Sequence, residues 1–367
     1  MRKTLLLSIF ALGMVLPALG QFSIKKVVFE EFTGAWCQYC ADGAYRAHVM
    51  DSIYPDALPV AVHNGDAMEI LAGTDLATFY GPAYPQALFD RGGALVSRGS
   101  WNSTMANGLS GAGLVTVAFD NVTYNDQTRL ITADVSAQFT GVSSGDFRIN
   151  MIVTEDHVTG SGSGYNQVNA DNSTPGHPYQ GAGNPIVGFH HMHVAREYIE
   201  GPWGLAGVID STVHLGSYFT HTFTYTVPAN FNVAEMALVA YVGRYDGPNL
   251  GDRQILNGEE FVLAPLVVGT PNMTSDESRI EVVGNPLTDR SKIVFANSEA
   301  GNVRVEVLNL AGQRVAVLGD DFATKGIHTI VWDGRNAAGS PVSNGMYLVR
   351  MVEENGHSLS TRIMVAR

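Results

Sequence analysis

Between Gly111 and Tyr245 five stretches alternate apolar and polar residues at the period of a β-strand: LVTVAFDNV, RLITADVSAQF, FRINMIVTEDHV, YFTHTFTYTV and AEMALVAYVGRY. A strand turns successive side chains to opposite faces, so this alternation demands a sheet with one buried face. Turns rich in Gly, Asn, Ser and Asp separate the stretches, and together they predict a β-sandwich. The pattern returns near the end in VGNPLTDRSKIVF, VRVEVLNLAGQRV, HTIVWDG, AAGSPVSNGMYLVRMVEENG and STRIMVAR, which predict a second, smaller sandwich. Composition agrees: only 16% of the 367 residues are charged and 40 are glycine, a balance that favours strands and loops over long helices. The hydrophobic share of 45% is ample for buried cores, and the length suggests two or three domains. Lys and Arg number 22 against 35 Asp and Glu, a net charge of −13, which argues against a nucleic-acid surface.

Residues 1–20 read as a targeting segment. Arg2 and Lys3 precede an apolar run from Leu5 to Leu16, and Ala18-Leu19-Gly20 offers small residues for cleavage before Gln21. The run is too short to span a bilayer, and no cysteine at the cut suggests a lipid anchor. The mature chain is expected outside the cytoplasm, where a cysteine pair can stay oxidised.

The chain's two cysteines, Cys37 and Cys40, lie in VVFEEFTGAWCQYCADGAY, residues 27–45. Val27 to Phe32 reads as a mostly buried strand, Thr33 and Gly34 break it, and a helix with one packed face starts at Cys40. Cysteines at i and i+3 on a first helical turn present their sulfurs on one face, within reach of a disulfide. Free N–H groups and the helix dipole there stabilise a thiolate, and can bring its pKa to about 7 or below. Cys37 is then the nucleophile and Cys40 resolves the mixed disulfide. A structural disulfide and half of a metal site stand as alternatives.

This segment, with Trp36 before the first cysteine, resembles the active-site segment of the thioredoxin-like superfamily. The resemblance implies that Glu31 is a buried acid moving the proton of Cys40. It also implies that Pro85, in Tyr84-Pro85-Gln86-Ala87-Leu88-Phe89, follows a cis bond, packs beside the disulfide and helps hold a peptide partner. The pair between the cysteines is Gln38-Tyr39 rather than Gly-Pro, so the reduction potential does not carry over. Within this first region Leu58 to His63 reads as a second buried strand, Thr74 as the cap of a short helix DLATFY, and Asn102 to Leu109 as a closing helix.

Between Thr159 and Pro185 runs a long, polar, glycine-rich segment, read as a surface loop or a ligand-facing excursion. Phe189-His190-His191-Met192-His193 follows. On a strand His191 and His193 share a face, with His190 on the other, and His-x-His could bind zinc or copper with His177 or Glu197 completing the set. Histidines satisfied within the sandwich are the alternative.

From EEFTGAWCQYCADG through YPQALFDR the chain is similar to the outer-membrane-protein-28-related family of bacterial surface proteins, over about residues 27–263. From about Ile280 to Arg367, the motifs Asn285-Pro286, Leu310-Ala311-Gly312-Gln313, Trp332-Asp333-Gly334 and Asn344-Gly345-Met346-Tyr347 resemble the C-terminal sorting domain of type IX secretion, itself similar to a flagellar-hook-cap Ig-like domain. The ending RIMVAR fits the usual basic tail only loosely.

The expected fold class is therefore a multidomain α/β plus all-β chain: signal peptide 1–20, thioredoxin-like domain 21–109, Ig-like β-sandwich 111–268, linker 269–278 and sorting domain 279–367. The resemblance implies a secreted or cell-surface thiol–disulfide exchange protein with no cofactor beyond the Cys37–Cys40 pair. Its partners would be protein thiols or disulfides, the type IX machinery and the outer-membrane surface. The alternative is a non-catalytic surface binding protein with a structural disulfide.

Overall fold

A computed structural model describes residues 23–264, 272–274, 277–288 and 290–367. The targeting segment 1–20 and part of the linker 269–278 lie outside the described residues.

In chain order the main elements of the first part are β1 (Val27–Thr33), α1 (Cys40–Ile53), β2 (Ala57–His63), α2 (Leu71–Tyr80), β3 (Gln86–Phe89) and α3 (Trp101–Leu109). Then come β4 (Val115–Asn125), β5 (Leu130–Phe139), β6 (Phe147–Glu155), β7 (Val194–Tyr198), β8 (Tyr218–Thr226), β9 (Met236–Arg244) and β10 (Ile255–Val262). The last part holds β11 (Arg279–Val283), β12 (Ser291–Asn297), β13 (Gly301–Leu308), β14 (Arg314–Ala323), β15 (Gly326–Trp332), β16 (Gly345–Glu353) and β17 (Ser358–Val365). The alternating stretches all form strands where the pattern places them. Helix α2 begins a turn earlier than expected, so Thr74 lies inside it and Ile70 takes the cap position.

The expected α/β thioredoxin-like domain is corrected by the topology: the chain is mostly β, with no evident domain of that kind. Strands β1, β2 and β3 do not close a sheet of their own. They form one half of a nine-stranded sheet in the order β10-β9-β6-β7-β2-β1-β3, with short strands Val96–Ser97 and Leu205–Ala206 added. The two halves meet where β7 lies parallel to β2, with Val194 opposite Ala61. The Ala61 N–H donates to the His193 carbonyl at 2.7 Å. A three-stranded sheet with an apolar open edge is a pairing hazard, and β7 covers that edge.

This sheet changes cover along its width. Under β1 and β2 both faces are buried. Val27, Phe29, Ala47, Met50, Trp101 and Met105 pack beneath α1 and α3, and Val28, Phe32, Val60, Val62 and Leu76 beneath α2. Across β6, β9 and β10 a second, seven-stranded sheet takes over one face, in the order β8-β5-β4-β15-β12-β11 with Asn272–Thr274 on β4. Phe147, Ile149, Met151, Leu238 and Phe261 of the first sheet pack there on Val117, Phe119, Val135, Ala137 and Phe223 of the second.

A four-stranded sheet, β14-β13-β16-β17, closes the last part. Val305, Val307, Val349, Met351 and Ile363 pack on Ile293, Phe295 and Trp332 to form a separate core. Because β11, β12 and β15 belong to the seven-stranded sheet, the two sandwiches share a sheet. Among the described residues no helix is long and apolar enough to cross a membrane.

Candidate functional site: the cysteine turn and its cover

The cysteine turn sits at the C-terminal end of β1. The Cys37 N–H donates to the Gly34 carbonyl at 3.0 Å, and the Cys40 N–H to the Cys37 carbonyl at 3.2 Å. Cys37 and Cys40 are joined in a disulfide with Cα atoms 5.3 Å apart. Cys37 is 4% exposed and Cys40 1%, whereas Trp36 is 48% exposed and Tyr39 41%. The cysteines are thus buried while the aromatic residues beside them in the turn are exposed.

Trp36 is held in place. Its Nε1–H donates to the Asn64 carbonyl at 2.7 Å, and its ring lies 5.2 Å from that of Tyr84. A Cβ at Gly34 would stand 2.7 Å from Trp36 Nε1, so a side chain there would unseat the ring. The Tyr84–Pro85 bond is cis. Pro85 is buried, and a Cβ at Gly43 on α1 would approach it to 3.1 Å and Glu31 Oε1 to 2.5 Å. Gly43 therefore lets Pro85, Glu31 and the first turn of α1 converge.

Glu30 and Glu31 fall on opposite faces of β1, as strand period requires. Glu30 accepts from Arg91 Nε at 2.7 Å, Arg91 Nη2 at 2.6 Å and the Tyr198 hydroxyl at 2.9 Å. Glu31 is also buried, but its Oε1 has no hydrogen-bond partner among the described residues. Burial first, and then the negative charge of Asp42, push its pKa up to about 8.

Asp42 is on the first turn of α1, where a carboxylate suits the helix dipole. Burial works against its ionisation. Hydrogen bonds from Arg46 Nε at 2.8 Å, Arg98 Nε at 2.6 Å and His177 at 3.2 Å prevail and hold its carboxyl below the usual range. Arg98 also lies over the Tyr39 ring, 4.9 Å from its centroid.

The glycine-rich segment, read as a surface loop or a ligand-facing excursion, covers the turn. Gln167 is buried, with its Nε2 2.9 Å from the Cys37 carbonyl oxygen, 3.1 Å from that of Val168, and 3.3 Å from those of Gly34 and Ala35. The Val168 N–H donates to the Ala35 carbonyl at 2.8 Å and the Ala170 N–H to the Gln38 carbonyl at 2.8 Å. Sequence reasoning missed Gln167, Asp42, Arg98 and His177 as neighbours of the cysteines. The length of the excursion was the one signal that pointed toward Gln167 and His177.

The histidines do not lie on a regular strand, since β7 starts at Val194 and His193 has a φ of 55°. The His191 Nε2 lies 2.8 Å from the Tyr165 carbonyl oxygen, to which it donates. Burial first, then the neighbouring His63, lower its pKa to about 4. The His193 N–H donates to Asp156 at 2.7 Å. Among the described residues no group of three or more His, Cys, Asp or Glu side chains is arranged to hold a metal ion. His63, His191, His193 and Glu31 instead line one small cavity of about 20 Å³.

The match of its central part to an outer-membrane protein family makes the chain an exported protein of the cell surface or outer membrane. Residues 76–255 match the family of outer membrane protein Omp28, and residues 285–357 match the FlgD Ig-like domain. The Omp28 match begins after the cysteine turn, so it speaks for strands β3 to β9 and the excursion and not for Cys37 or Cys40. Over nearly its whole length the chain is similar to HBP35 of Porphyromonas gingivalis, with a TM-score of 0.52 and 18% identity, covering 94% of this chain and 99% of that one. At that identity the likeness is one of fold. FlgD from P. aeruginosa matches with a TM-score of 0.19 and 19% identity over 24% of this chain and 74% of that one. PorZ, a surface component of the type-IX secretion system of Porphyromonas gingivalis, matches with a TM-score of 0.18 and 15% identity over 35% of this chain and 15% of that one. Both are too loose to carry an argument. No curated protein sequence matches the chain.

Proposed function

We propose that this surface protein exchanges its Cys37–Cys40 disulfide with the thiols or disulfides of protein partners. Glu31 is the observation that supports this most. It is a buried acid with an unpartnered oxygen, close against the helix that begins at Cys40. Keeping such a group desolvated costs stability, and a disulfide that only braced the turn would have no use for it.

In the oxidising direction a partner thiolate attacks the Cys37 sulfur, the Cys37–Cys40 bond breaks, and Cys40 leaves as a thiolate that takes the Glu31 proton. A second partner thiolate then attacks the mixed disulfide at the partner's own sulfur. It releases the Cys37 thiolate and leaves the partner oxidised. Trp36 and Tyr39 form the surface the partner meets, and Pro85 helps to hold it. The reaction needs no further cofactor.

A second reading, a surface binding protein with a structural disulfide, draws on the burial of Cys37 and on the Gln167 amide sealing the turn. Equilibration of the protein with glutathione, followed by thiol trapping, separates the two. Exchange predicts a potential between about −120 and −270 mV and loss of disulfide exchange in Cys37→Ser; a value below about −300 mV would leave only the structural role.

Part of the same proposal is that residues 279–367 direct export by the type IX route, on the motifs that run in order from Asn285 to Tyr347 and the Ig-like match at 285–357. A chain truncated after residue 278 that still reached the cell surface would remove this part.

A further inference from the structure

A cavity of about 230 Å³ lies at the seam of the two sandwiches, at the other end of β1 from the cysteine turn. Its lining includes Lys26 and Asp56, beside the first residue of β1, so β1 alone sets it roughly 20 Å from the disulfide. Val117 of one sandwich and Phe295, Val303, Leu318, Phe322 and Ile330 of the other form an apolar wall. A concave apolar wall with a few convergent polar groups is the usual form of a small-molecule site.

The polar groups carry a sign. The Lys26 Nζ is 2.5 Å from Glu259 Oε1, so the cation of the cavity is already neutralised. The other oxygen of Glu259 faces His328 Nδ1 at 3.7 Å. The His328 Nε2 donates to the Thr324 carbonyl at 2.9 Å. Asp56 and Asp321 remain, and the Asp56 carboxylate makes no hydrogen bond among the described residues. Burial raises the Asp56 carboxyl against the pull of Lys26, and the charges of Glu259 and Asp321 raise it further. The Thr324 Oγ1, also at the lining, is buried without a hydrogen-bond partner among the described residues. The site thus offers a spare carboxylate and a spare hydroxyl beside an apolar wall.

We infer that this cavity binds a small amphipathic amine, its aromatic or alkyl body against Phe295, Leu318 and Phe322 and its ammonium on Asp56 and Thr324. An acid of the same shape would meet Asp56 and Asp321 as like charges, with no free cation among the described lining residues to answer it.

Calorimetric titration of the full chain with 2-phenylethylamine, and with 3-phenylpropionate as the charge-reversed probe, tests this. The amine is expected to bind, and the acid at least about tenfold more weakly. Asp56→Asn, nearly isosteric, is expected to weaken the amine by about tenfold or more and to leave 2-phenylethanol unchanged. Leu318→Trp, which fills the cavity, is expected to abolish binding of both. If that variant does not fold, Thr324→Phe obstructs the site from the turn after β14. Equal affinity for amine and acid, an amine affinity unmoved by both Asp56→Asn and a cavity-filling variant, or no heat from the amine would each overturn the inference.

Discussion

Glu30 and Glu31 are neighbours on one buried strand, and only the face each occupies separates a satisfied ion pair from a strained acid. Glu30 has the Arg91 guanidinium and the Tyr198 hydroxyl. Glu31 has burial and the nearby Asp42 charge, which raise its pKa to about 8. That is above the unfolded value of about 4.3, so the contribution of Glu31 to stability is fully present below about pH 4.3 and is lost as pH rises through about 8. Glu31→Gln removes this loss. Urea titrations are expected to find the variant and the native chain alike near pH 4, with the variant ahead by up to about 3 kcal/mol at pH 7. A gap that did not widen over that range would mean that Glu31 is ionised in the fold. Under the exchange proposal the same variant forms mixed disulfides with partner thiols more slowly, because its amide holds no acidic proton to give to Cys40 as it leaves. The strand and the cysteine pair were legible because both are local patterns. The unpartnered oxygen of Glu31 was not, since it depends on Gly43 and Pro85, which only the fold brings together.

At the scale of elements, the excursion after β6 does more than connect strands. Gln167 places one amide against carbonyls of Gly34, Ala35, Cys37 and Val168, and so stands in for the water that would otherwise solvate the turn. A polar residue in a glycine-rich loop carries no periodicity, so nothing in the sequence marked it. The same limit explains the error over the first region. VVFEEFT and ALPVAVH reveal strands buried on both faces, but not which strand covers the edge of β2. That strand is β7, more than 130 residues beyond Ala61, and it joins through a single bridge. Gln167→Ala removes a side-chain donor from the carbonyls around it, of which those of Gly34, Ala35 and Cys37 each keep a backbone N–H, a cost of about 0.5–1.5 kcal/mol. It is also expected to speed reduction of the Cys37–Cys40 disulfide by glutathione, followed by thiol trapping, at a pH where the chain stays folded. Unchanged reduction with lowered stability would mean that the excursion braces the turn without gating it.

At the scale of the whole molecule, the last sandwich is built into the body rather than strung after it. Strand β15 meets β4 where Ile327 lies opposite Phe119, and Val294, Ala296 and Ile327 belong to the same core as Val135 and Phe147. Two cations of the last sandwich reach buried carboxylates of the body: Arg290 pairs with Asp51, and Lys292 with Glu260 at 2.8 Å. An export role for residues 279–367 therefore does not require their removal, and removing them would strip the wall from one side of that core. Ile327→Ala tests the coupling. Deleting a buried isoleucine side chain costs about 2–5 kcal/mol. If the core is shared, hydrogen exchange followed by mass spectrometry is expected to report lost protection in β4, β5 and β6 as well as in β12 and β15, with one thermal transition moving as a unit. Loss confined to residues 279–367 would make the last sandwich a unit that opens independently, despite the continuous sheet.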